Sequence, residues 1–145
     1  MPNQVQTDRL TYLVAKLHRI AHNGLETRLQ EHGFSVEQWR VLDNLAGRDG
    51  YSMGELANTV LMNHPALTKM IDRMVANGLV HRAPDPADQR RVLVYGTDRG
   101  MTLVNRLRPV VETHEDSLNS LLGKAAMGQI ETIVKHAGTI LKENA

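Results

Sequence analysis

Apolar residues recur every three or four positions along most of the chain, which is the spacing of amphipathic helices. The first stripe lies within residues 8–31 and contains Leu10, Leu13, Val14, Leu17, Ala21 and Leu25. A helix of that length would extend roughly 35 Å at about 1.5 Å per residue. A small domain does not need so long a helix for its own core, so we expect part of it to pack on a second subunit.

Two helix-initiation patterns follow this stripe. Ser35 with Gln38 three residues later is a capping-box pattern, and it precedes a second run of apolar residues at helical spacing. Ser52 with Glu55 repeats the pattern and starts a short helix over about 53–60. The sequence therefore predicts two consecutive helices separated by a glycine-containing loop.

A third helix of this region starts at the next favourable N-cap residue, Asn63. It is predicted over residues 64–77, with Pro65 in its first turn and Gly78 at the position just after its end. Only about three residues separate it from the preceding short helix. That arrangement is the spacing of a helix-turn-helix.

A β-hairpin is predicted directly after the helix-turn-helix. Its strands are Leu79–Ala83 and Arg91–Tyr95, and the segment between them contains the turn-forming sequence Asp85-Pro86-Ala87-Asp88. A helix-turn-helix followed at once by a hairpin is a winged helix, and the hairpin is its wing.

Two more helices are predicted in the C-terminal third, over about residues 101–143. Pro109 should kink the first of them because it removes a backbone hydrogen bond, and His114 on its apolar seam is a candidate interface residue. The fold class is therefore mainly α with a small β-hairpin. The apolar seams contain Val104, Leu107, Val111, His114, Leu118 and Leu121 on the first helix and Met127, Ile130, Val134, Ala137 and Leu141 on the second.

Composition and charge narrow the classes of function. The formal net charge is only +1, so a nucleic-acid surface would have to come from local placement of charge. The chain has no cysteine, which excludes disulfides, thiolate catalysis and cysteine-based zinc sites. It also has no phosphate-binding glycine loop, nucleophile elbow or enclosed acid pair, so we expect neither enzyme activity nor a cofactor.

The chain shows no targeting or membrane-spanning signal. Its N-terminus lacks the apolar core of a signal peptide, and no apolar run approaches about 18 residues. We therefore expect a cytoplasmic protein with no membrane partner.

The polar face of the helix over 64–77 is the first candidate for contacts with double-stranded DNA. Small and polar residues near the start of such a helix permit close approach to base edges, and basic residues reach phosphates. On an isolated helix this face would more simply be solvated, but its place after a helix-turn favours DNA. The candidate residues are Ser52, Asn63, His64, Pro65, Ala66, Thr68, Lys69 and Arg73.

The tip of the wing is the second candidate, with Asp88, Gln89, Arg90 and Arg91. An arginine on a thin hairpin suits the minor groove, where the negative potential is deepest when the groove is narrow. Asp88 is placed to steer the guanidinium of Arg90 two residues later. The alternative is a surface salt bridge worth roughly 0–1 kcal/mol, which would not explain an ordered tip.

Several short motifs follow one another along the chain: Gly33-Phe34-Ser35, Gln38-Trp39, Glu55-Leu56-Ala57, Asn77-Gly78-Leu79-Val80, Asp85-Pro86-Ala87-Asp88-Gln89-Arg90, Thr97 and Gly100. Taken in this order and at this spacing, they resemble the multiple antibiotic resistance regulator (MarR) family over essentially the whole chain. The resemblance implies one domain over 1–145, with a winged-helix DNA-binding lobe over about 35–100 and dimerisation helices over about 8–31 and 101–143.

The resemblance also implies function. It makes Arg90 the minor-groove arginine, Asp88 its partner, and the helix over 64–77 the major-groove reader of a homodimeric transcription factor. We expect a repressor of pseudo-palindromic operators that a small aromatic carboxylate or phenol releases. Gly96 departs from the family, in which an apolar residue usually precedes the threonine after the wing, and this departure predicts a less firmly packed wing base.

Candidate residues for such a ligand come from the first two helices: His18, Arg19, His22, Trp39 and Arg40. An arginine or histidine can pair with a carboxylate, and a tryptophan can stack on an aromatic ring. The alternative, in which Trp39 belongs to the core and Arg40 is solvated, is equally open from the sequence.

Two further functional alternatives stay open. His18, His22 and Glu26 follow one another at intervals of four residues, a spacing that can bind a divalent metal, so one alternative is a zinc-responsive regulator. The apolar neighbours of His18 favour a buried, hydrogen-bonded histidine instead, and no residue is assigned as a metal ligand. The other alternative is a winged helix used for contact with another protein.

Overall fold

The structure, a computed structural model, describes residues 9–143. The described chain divides into two compact units, one that ends at Val110 and one that begins at Val111. The predicted fold class, mainly α with a small β-hairpin, is confirmed. The elements are α1 (Leu10–Gln30), α2 (Val36–Gly47), β1 (Tyr51–Ser52), α3 (Met53–Val60), α4 (His64–Ala76), β2 (Val80–Pro84), β3 (Val92–Gly96), α5 (Asp98–Leu122) and α6 (Lys124–Glu143).

The starts of α2 and α4 follow the predicted capping signals. Ser35 Oγ accepts a hydrogen bond from the Gln38 amide at 3.1 Å, and Gln38 Oε1 accepts one from the Ser35 amide at 2.9 Å. At α4, Asn63 Oδ1 accepts a hydrogen bond from the Ala66 amide at 2.9 Å. These contacts satisfy N–H groups that have no partner within the first turn of a helix.

The start of α3 differs from its prediction in one respect. Ser52 Oγ accepts a hydrogen bond from the Glu55 amide at 3.2 Å, as a capping box requires. The Glu55 carboxylate does not return to Ser52 but forms ion pairs with Arg48 and Arg91. The capping box at α3 is therefore only half formed, because the Glu55 carboxylate pairs with these two arginines instead of the Ser52 amide.

Gly78 ends α4 as predicted. Its φ is +72°, in the left-handed region that a residue without a β-carbon adopts at little cost. The Gly78 amide donates to the carbonyl of Val75 and the Leu79 amide to that of Met74, each at 2.9 Å, which is the Schellman pattern. This cap turns the chain from α4 into β2 within two residues.

The wing belongs to a three-stranded antiparallel sheet of order β1–β3–β2. Val94 of β3 is paired with Tyr51 on one side and Arg82 on the other, so β3 is the central strand. The hairpin strands begin one residue later than predicted because Leu79 closes the cap of α4 and Arg91 closes the turn at the wing tip. The short strand β1 was not predicted.

The base of the wing is fixed by one threonine. Thr97 Oγ1 donates to the carbonyl of Gly78 at 2.6 Å and accepts from the Gly100 amide at 3.0 Å. The Thr97 amide donates to the carbonyl of Leu79 at 3.1 Å. A β-carbon at Gly100 would overlap that same Leu79 oxygen, so the first turn of α5 lies against the end of α4 at a distance that only glycine permits.

Gly96, the departure from the family pattern, lies beneath the side chain of Met101. A β-carbon at Gly96 would overlap the Met101 methyl group and approach its sulfur to 3.2 Å. The space above Gly96 is therefore filled by a methionine of α5, whose flexible thioether suits an irregular gap.

The core of the first unit is aliphatic apart from Trp39. In α1 only Leu25 and Leu29 are buried, whereas the first half of the helix is exposed throughout. The apolar residues exposed there are Leu10, Tyr12, Leu13, Val14, Leu17 and Ile20, and the most enclosed side chains of the core are Leu29, Val36, Val41, Leu42, Leu56, Val60, Leu67, Ile71, Met74, Val80, Val94 and Leu107.

The second unit contains the last part of α5 and all of α6. α5 continues as a helix through Pro109, and Gly123, with φ +85°, separates it from α6. His114 is 6% exposed, whereas Val134 and Leu141 of α6 are 64% and 72% exposed. Between residues 9 and 143, no helix is both long and apolar enough to cross a membrane.

The turn between α3 and α4 contains an unusual residue. Leu61 has φ 61° and ψ 44°, the left-handed conformation, and its amide donates to the carbonyl of Ala57. A residue with a β-carbon adopts this conformation at a cost of about 1–2 kcal/mol. Leu61 is also 78% exposed, so its side chain gains little from burial in compensation.

We predict that Leu61→Gly raises the free energy of unfolding by about 0.5–1 kcal/mol, because relief of the left-handed strain exceeds the greater flexibility of glycine in the unfolded chain. Chemical denaturation followed by circular dichroism measures this change. Leu61→Ala is the matched control, since it removes the side chain and keeps the β-carbon. An equal gain in both variants would contradict the explanation.

Candidate DNA-binding surface

α4 presents its predicted polar face to solvent. Leu67, Ile71 and Met74 are fully buried on the opposite face and hold the helix against the core. Thr68 Oγ1 donates to the carbonyl of His64 at 2.9 Å, which leaves the hydroxyl oxygen able to accept a hydrogen bond from a partner. The predicted contact residues exposed on or next to α4 are Asn63, His64, Pro65, Ala66, Thr68, Lys69 and Arg73, and Ser52 is half-buried.

A groove of about 670 Å³ runs between the start of α2 and α4. Lys69 and Arg73 supply positive charge along it, and Glu37 supplies the one negative charge among its lining residues. Four of the predicted DNA-contact residues thus share one concave surface. The groove is lined by Ser35, Glu37, Gln38, Leu61, Met62, Asn63, Ala66, Lys69, Met70 and Arg73.

The wing tip is an ordered turn closed by its own backbone. The Asp85 amide donates to the carbonyl of Arg91 at 2.7 Å, and the Arg91 amide donates to the carbonyl of Asp88 at 2.9 Å. Asp85 Oδ1 accepts from the Ala87 amide at 2.9 Å and Asp88 Oδ1 from the Arg90 amide at 3.1 Å. Both aspartates therefore shape the turn, and Asp85 was not among the predicted site residues.

The two adjacent arginines of the tip occupy different environments. The side chain of Arg90 is 96% exposed, and its Nε lies 3.8 Å from Asp88 Oδ1. The side chain of Arg91 is 48% exposed and is paired with Glu55 of α3. Arg90 thus projects from the tip with Asp88 beside it, as predicted, whereas Arg91 is held against the helix-turn-helix.

Glu55 joins Arg91 to a second cation, Arg48. One carboxylate oxygen of Glu55 accepts from Arg48 and the other from Arg91, and Arg48 also donates to the carbonyl of Gly50 at 3.1 Å and covers the ring of Tyr51 at 4.1 Å. Partial burial would raise the pKa of the Glu55 carboxyl. The hydrogen bonds and charges of Arg48 and Arg91 outweigh that effect and hold the pKa below its usual value. We call these three residues the Arg48–Glu55–Arg91 cluster.

A separate ion pair joins the other strand of the wing to α4. Arg82 of β2 lies 2.6 Å from Asp72 Oδ1. Together with the Arg48–Glu55–Arg91 cluster, it connects β2 and the wing tip each to one helix of the helix-turn-helix. Neither connection was predicted, because the paired residues lie 10 and 36 positions apart in the sequence.

The predicted ligand residues have different environments within the described part of the chain. His18 and Arg19 are exposed on α1, and Arg40 is half-buried on α2. Trp39 is 6% exposed and belongs to the core of the first unit. The described chain itself does not bury His18, because the half of α1 to which it belongs is exposed throughout.

A cavity of about 470 Å³ lies elsewhere in the first unit, and none of the predicted ligand residues lines it. Its walls combine apolar side chains with two arginines of α5, Arg99 and Arg106, that form no ion pair within residues 9–143. The lining residues are Gly33, Phe34, Gln38, Asn77, Leu79, Arg99, Thr102, Leu103 and Arg106.

The possible metal ligands His18, His22 and Glu26 interact in another way. The two imidazole rings stack with their centroids 4.8 Å apart, and His22 Nε2 lies 3.6 Å from Glu26 Oε2. The same Glu26 oxygen accepts a hydrogen bond from the Val36 amide at 2.9 Å and thereby links α1 to the start of α2. Within the described part of the chain, no group of three or more such side chains is arranged to hold a metal ion.

Comparison with known proteins agrees with this geometry. The model of the MarR family matches residues 32–91. The regulator FarR of Neisseria gonorrhoeae is 30% identical over 99 residues, which span 68% of this chain and 68% of FarR. The MarR family transcriptional regulator SPO1453 from Silicibacter pomeroyi DSS-3 is 31% identical, with a TM-score of 0.80 over 93% of this chain and 96% of its own.

The repressor CouR, solved bound to a 23-mer DNA duplex, has the same fold. Its TM-score is 0.81 at 24% identity over 92% of this chain and 94% of CouR. The family model and the two relatives above place the chain among the winged-helix, DNA-binding transcription regulators, a class that is not enzymatic. Within that class, the chain belongs to the MarR family.

Proposed function

We propose that this regulator is a homodimeric repressor of a pseudo-palindromic operator. In each protomer α4 enters the major groove and the wing reaches the adjacent minor groove. The two recognition helices then lie roughly 34–36 Å apart, one turn of B-DNA. The observation that carries this proposal is the joint exposure of the α4 face and of Arg90, the most projecting cation of an otherwise ordered tip.

Each surface has its own role in this proposal. Thr68 and Lys69, on the exposed face of α4, contact base edges and phosphates, and Ala66 permits close approach. Arg90 enters the minor groove, and Asp88 orients its guanidinium from 3.8 Å away. Because the net charge is only +1, the attraction to DNA comes from these local groups.

The exposed apolar residues of α1 support the homodimer. Six large apolar side chains lie on the half of that helix that precedes Leu25, and none of them is buried by the described chain. A soluble protein rarely leaves so large an apolar patch uncovered. We assign this face to the partner subunit, together with the exposed apolar side chains of α6.

Release by a small aromatic acid or phenol is supported by relatives. The homoprotocatechuate degradative operon repressor of Escherichia coli is 29% identical over 105 residues, 72% of this chain and 71% of the repressor. The DNA binding of Bordetella bronchiseptica BpsR, a protein of the same fold, is regulated by 6-hydroxynicotinic acid. Two locations in this chain offer cations for such a ligand, Arg19 with the two histidines of α1, and the cavity with Arg99 and Arg106.

We predict that Arg90→Ala weakens DNA binding about 10- to 100-fold, the loss expected for a specific arginine contact. The probe is a duplex selected by the native protein from a random-sequence pool, titrated by fluorescence anisotropy at several salt concentrations. Lys124→Ala removes an exposed cation of α6 that is outside both the proposed DNA contacts and the proposed ligand locations, so it serves as the control. Equal affinities of native protein and Arg90→Ala would overturn the role of the wing tip.

We predict that Leu13→Glu converts the dimer into a monomer, because it places a charge in the apolar face of α1. Size-exclusion chromatography with light scattering should give twice the chain mass of 16.2 kDa for the native protein and about once that mass for the variant. Thr11→Glu introduces the same charge on the side of α1 that faces away from Leu13, and it should leave the dimer intact. A native protein of 16.2 kDa would contradict the homodimer.

We predict that an aromatic acid raises the melting temperature by roughly 5 °C when its concentration is about 100 times the dissociation constant. The panel is benzoate, 4-hydroxybenzoate and 6-hydroxynicotinate, followed by release of the selected duplex. Arg19→Ala and Arg106→Ala test the two locations, since the variant that loses the shift identifies the site. Binding without release of DNA would contradict the proposed effector role.

A further inference from the structure

We propose that Glu55 is a positioning residue for the wing. Through its ion pair with Arg91, Glu55 holds the tip so that Arg90 projects toward DNA, and it keeps Arg91 itself from acting as a phosphate contact. The inference rests on the proposed role of the wing in DNA binding. It gives the two neighbouring arginines of the tip different roles, since Arg90 contacts DNA and Arg91 anchors the tip to Glu55.

The first argument is the way in which Glu55 uses its oxygens. In a capping box the carboxylate of this residue would return to the backbone of Ser52. Here the Ser52 hydroxyl still accepts the Glu55 amide, but the carboxylate is divided between Arg48, which precedes α3, and Arg91, which lies 36 positions further along the chain. The second hydrogen bond of the capping box is thus absent, and the Glu55 carboxylate makes a long-range ion pair instead.

The second argument is the position of Arg91 in the wing. It lies between the projecting Arg90 and Val92, the first residue of β3, which pairs with Pro84. The backbone of Arg91 also closes the tip on both sides, through its amide to Asp88 and its carbonyl to Asp85. Fixing the side chain of Arg91 therefore fixes the direction in which the whole turn points.

The third argument concerns magnitude. An exposed ion pair contributes about 0–1 kcal/mol to stability, too little to matter for the folded state of the unit as a whole. The hydrogen bonds of the turn already order the tip itself, so the ion pair has only to select among the orientations of the tip as a whole, and a bias of that size shifts their population several-fold. The cluster is therefore suited to orienting the tip and unsuited to stabilising the fold.

Arg48 strengthens this arrangement. It is held by the carbonyl of Gly50 and the ring of Tyr51 while it pairs with Glu55, so it restrains the carboxylate through the oxygen that Arg91 does not contact. The carboxylate that Arg91 contacts is consequently restrained by a second residue as well. Less side-chain freedom is lost when a group is already restrained, which favours the pair.

The first experiment measures the orientation of the tip without DNA. The chain has no cysteine, so Gln89→Cys introduces the only thiol for a nitroxide spin label at the tip. We expect Glu55→Gln and Arg91→Ala to increase the mobility of the label at least twofold in the electron paramagnetic resonance spectrum. Asp72→Asn, which breaks the other ion pair of the wing, is the matched control and should change the mobility less. Unchanged mobility in Glu55→Gln would overturn the proposal.

The second experiment measures binding to the selected duplex as a function of salt. We expect Glu55→Gln and Arg91→Ala each to weaken binding about 3- to 10-fold, the double variant to be no weaker than either single one, and the slope of log affinity against log salt to stay unchanged. A slope reduced by about 0.9 in Arg91→Ala would mean a lost phosphate contact and would overturn the anchor role. Native or tighter binding by Glu55→Gln would overturn the positioning role.

The two experiments separate this inference from the proposed function. If the native protein shows no salt-dependent binding to DNA, the DNA-contact role of the wing is wrong, whereas the spin-label result still decides whether Glu55 orients the tip. Circular dichroism and the melting temperature of each variant verify that the fold is intact. A Glu55→Gln variant that loses helix content would assign the cluster to stability instead and would overturn the proposal.

Discussion

The hydrogen bonds of Thr97 are the contacts on which the DNA-binding arrangement depends most. One side chain and its amide join the carbonyls that end α4 to the first turn of α5. The hairpin leaves α4 and returns to α5 at the same place, so its base is closed by the cap of α4. The end of α4, the base of the wing and the start of α5 therefore share one small polar junction, and a displacement of one of them would strain the hydrogen bonds to the others.

Local signals explain which parts of this fold the sequence predicts. The caps of Ser35 and Asn63 each join residues three positions apart, and Gly78 ends α4 through its own backbone conformation. The starts and ends of these helices therefore follow from short stretches of chain. Strand β1 has only two residues, too few to show the alternation of apolar and polar positions that predicts a strand. It is defined by its pairing with β3.

The candidate site was predictable to the same extent. The exposed face of α4 and the pairing of Asp88 with Arg90 follow from local spacing. The difference between Arg90 and Arg91 does not, because it is created by a glutamate of a distant helix whose sequence context favours a cap. For the ligand residues the sequence left two interpretations of Trp39 open, because an aromatic side chain at helical spacing suits the core as well as a ligand, and the structure places Trp39 in the core.

Two glycines near the base of the wing, Gly96 and Gly100, differ in what surrounds them, and this sets how the region can vary in evolution. Above Gly96 lies the end of Met101, a flexible chain that can rotate aside, so larger residues there require only that one neighbour rearranges. Against Gly100 lies a backbone oxygen that the sheet and the helix cap hold in place. A larger residue can therefore be accommodated at the first position and not at the second, so the packing of the wing base can change while its junction with α4 stays the same.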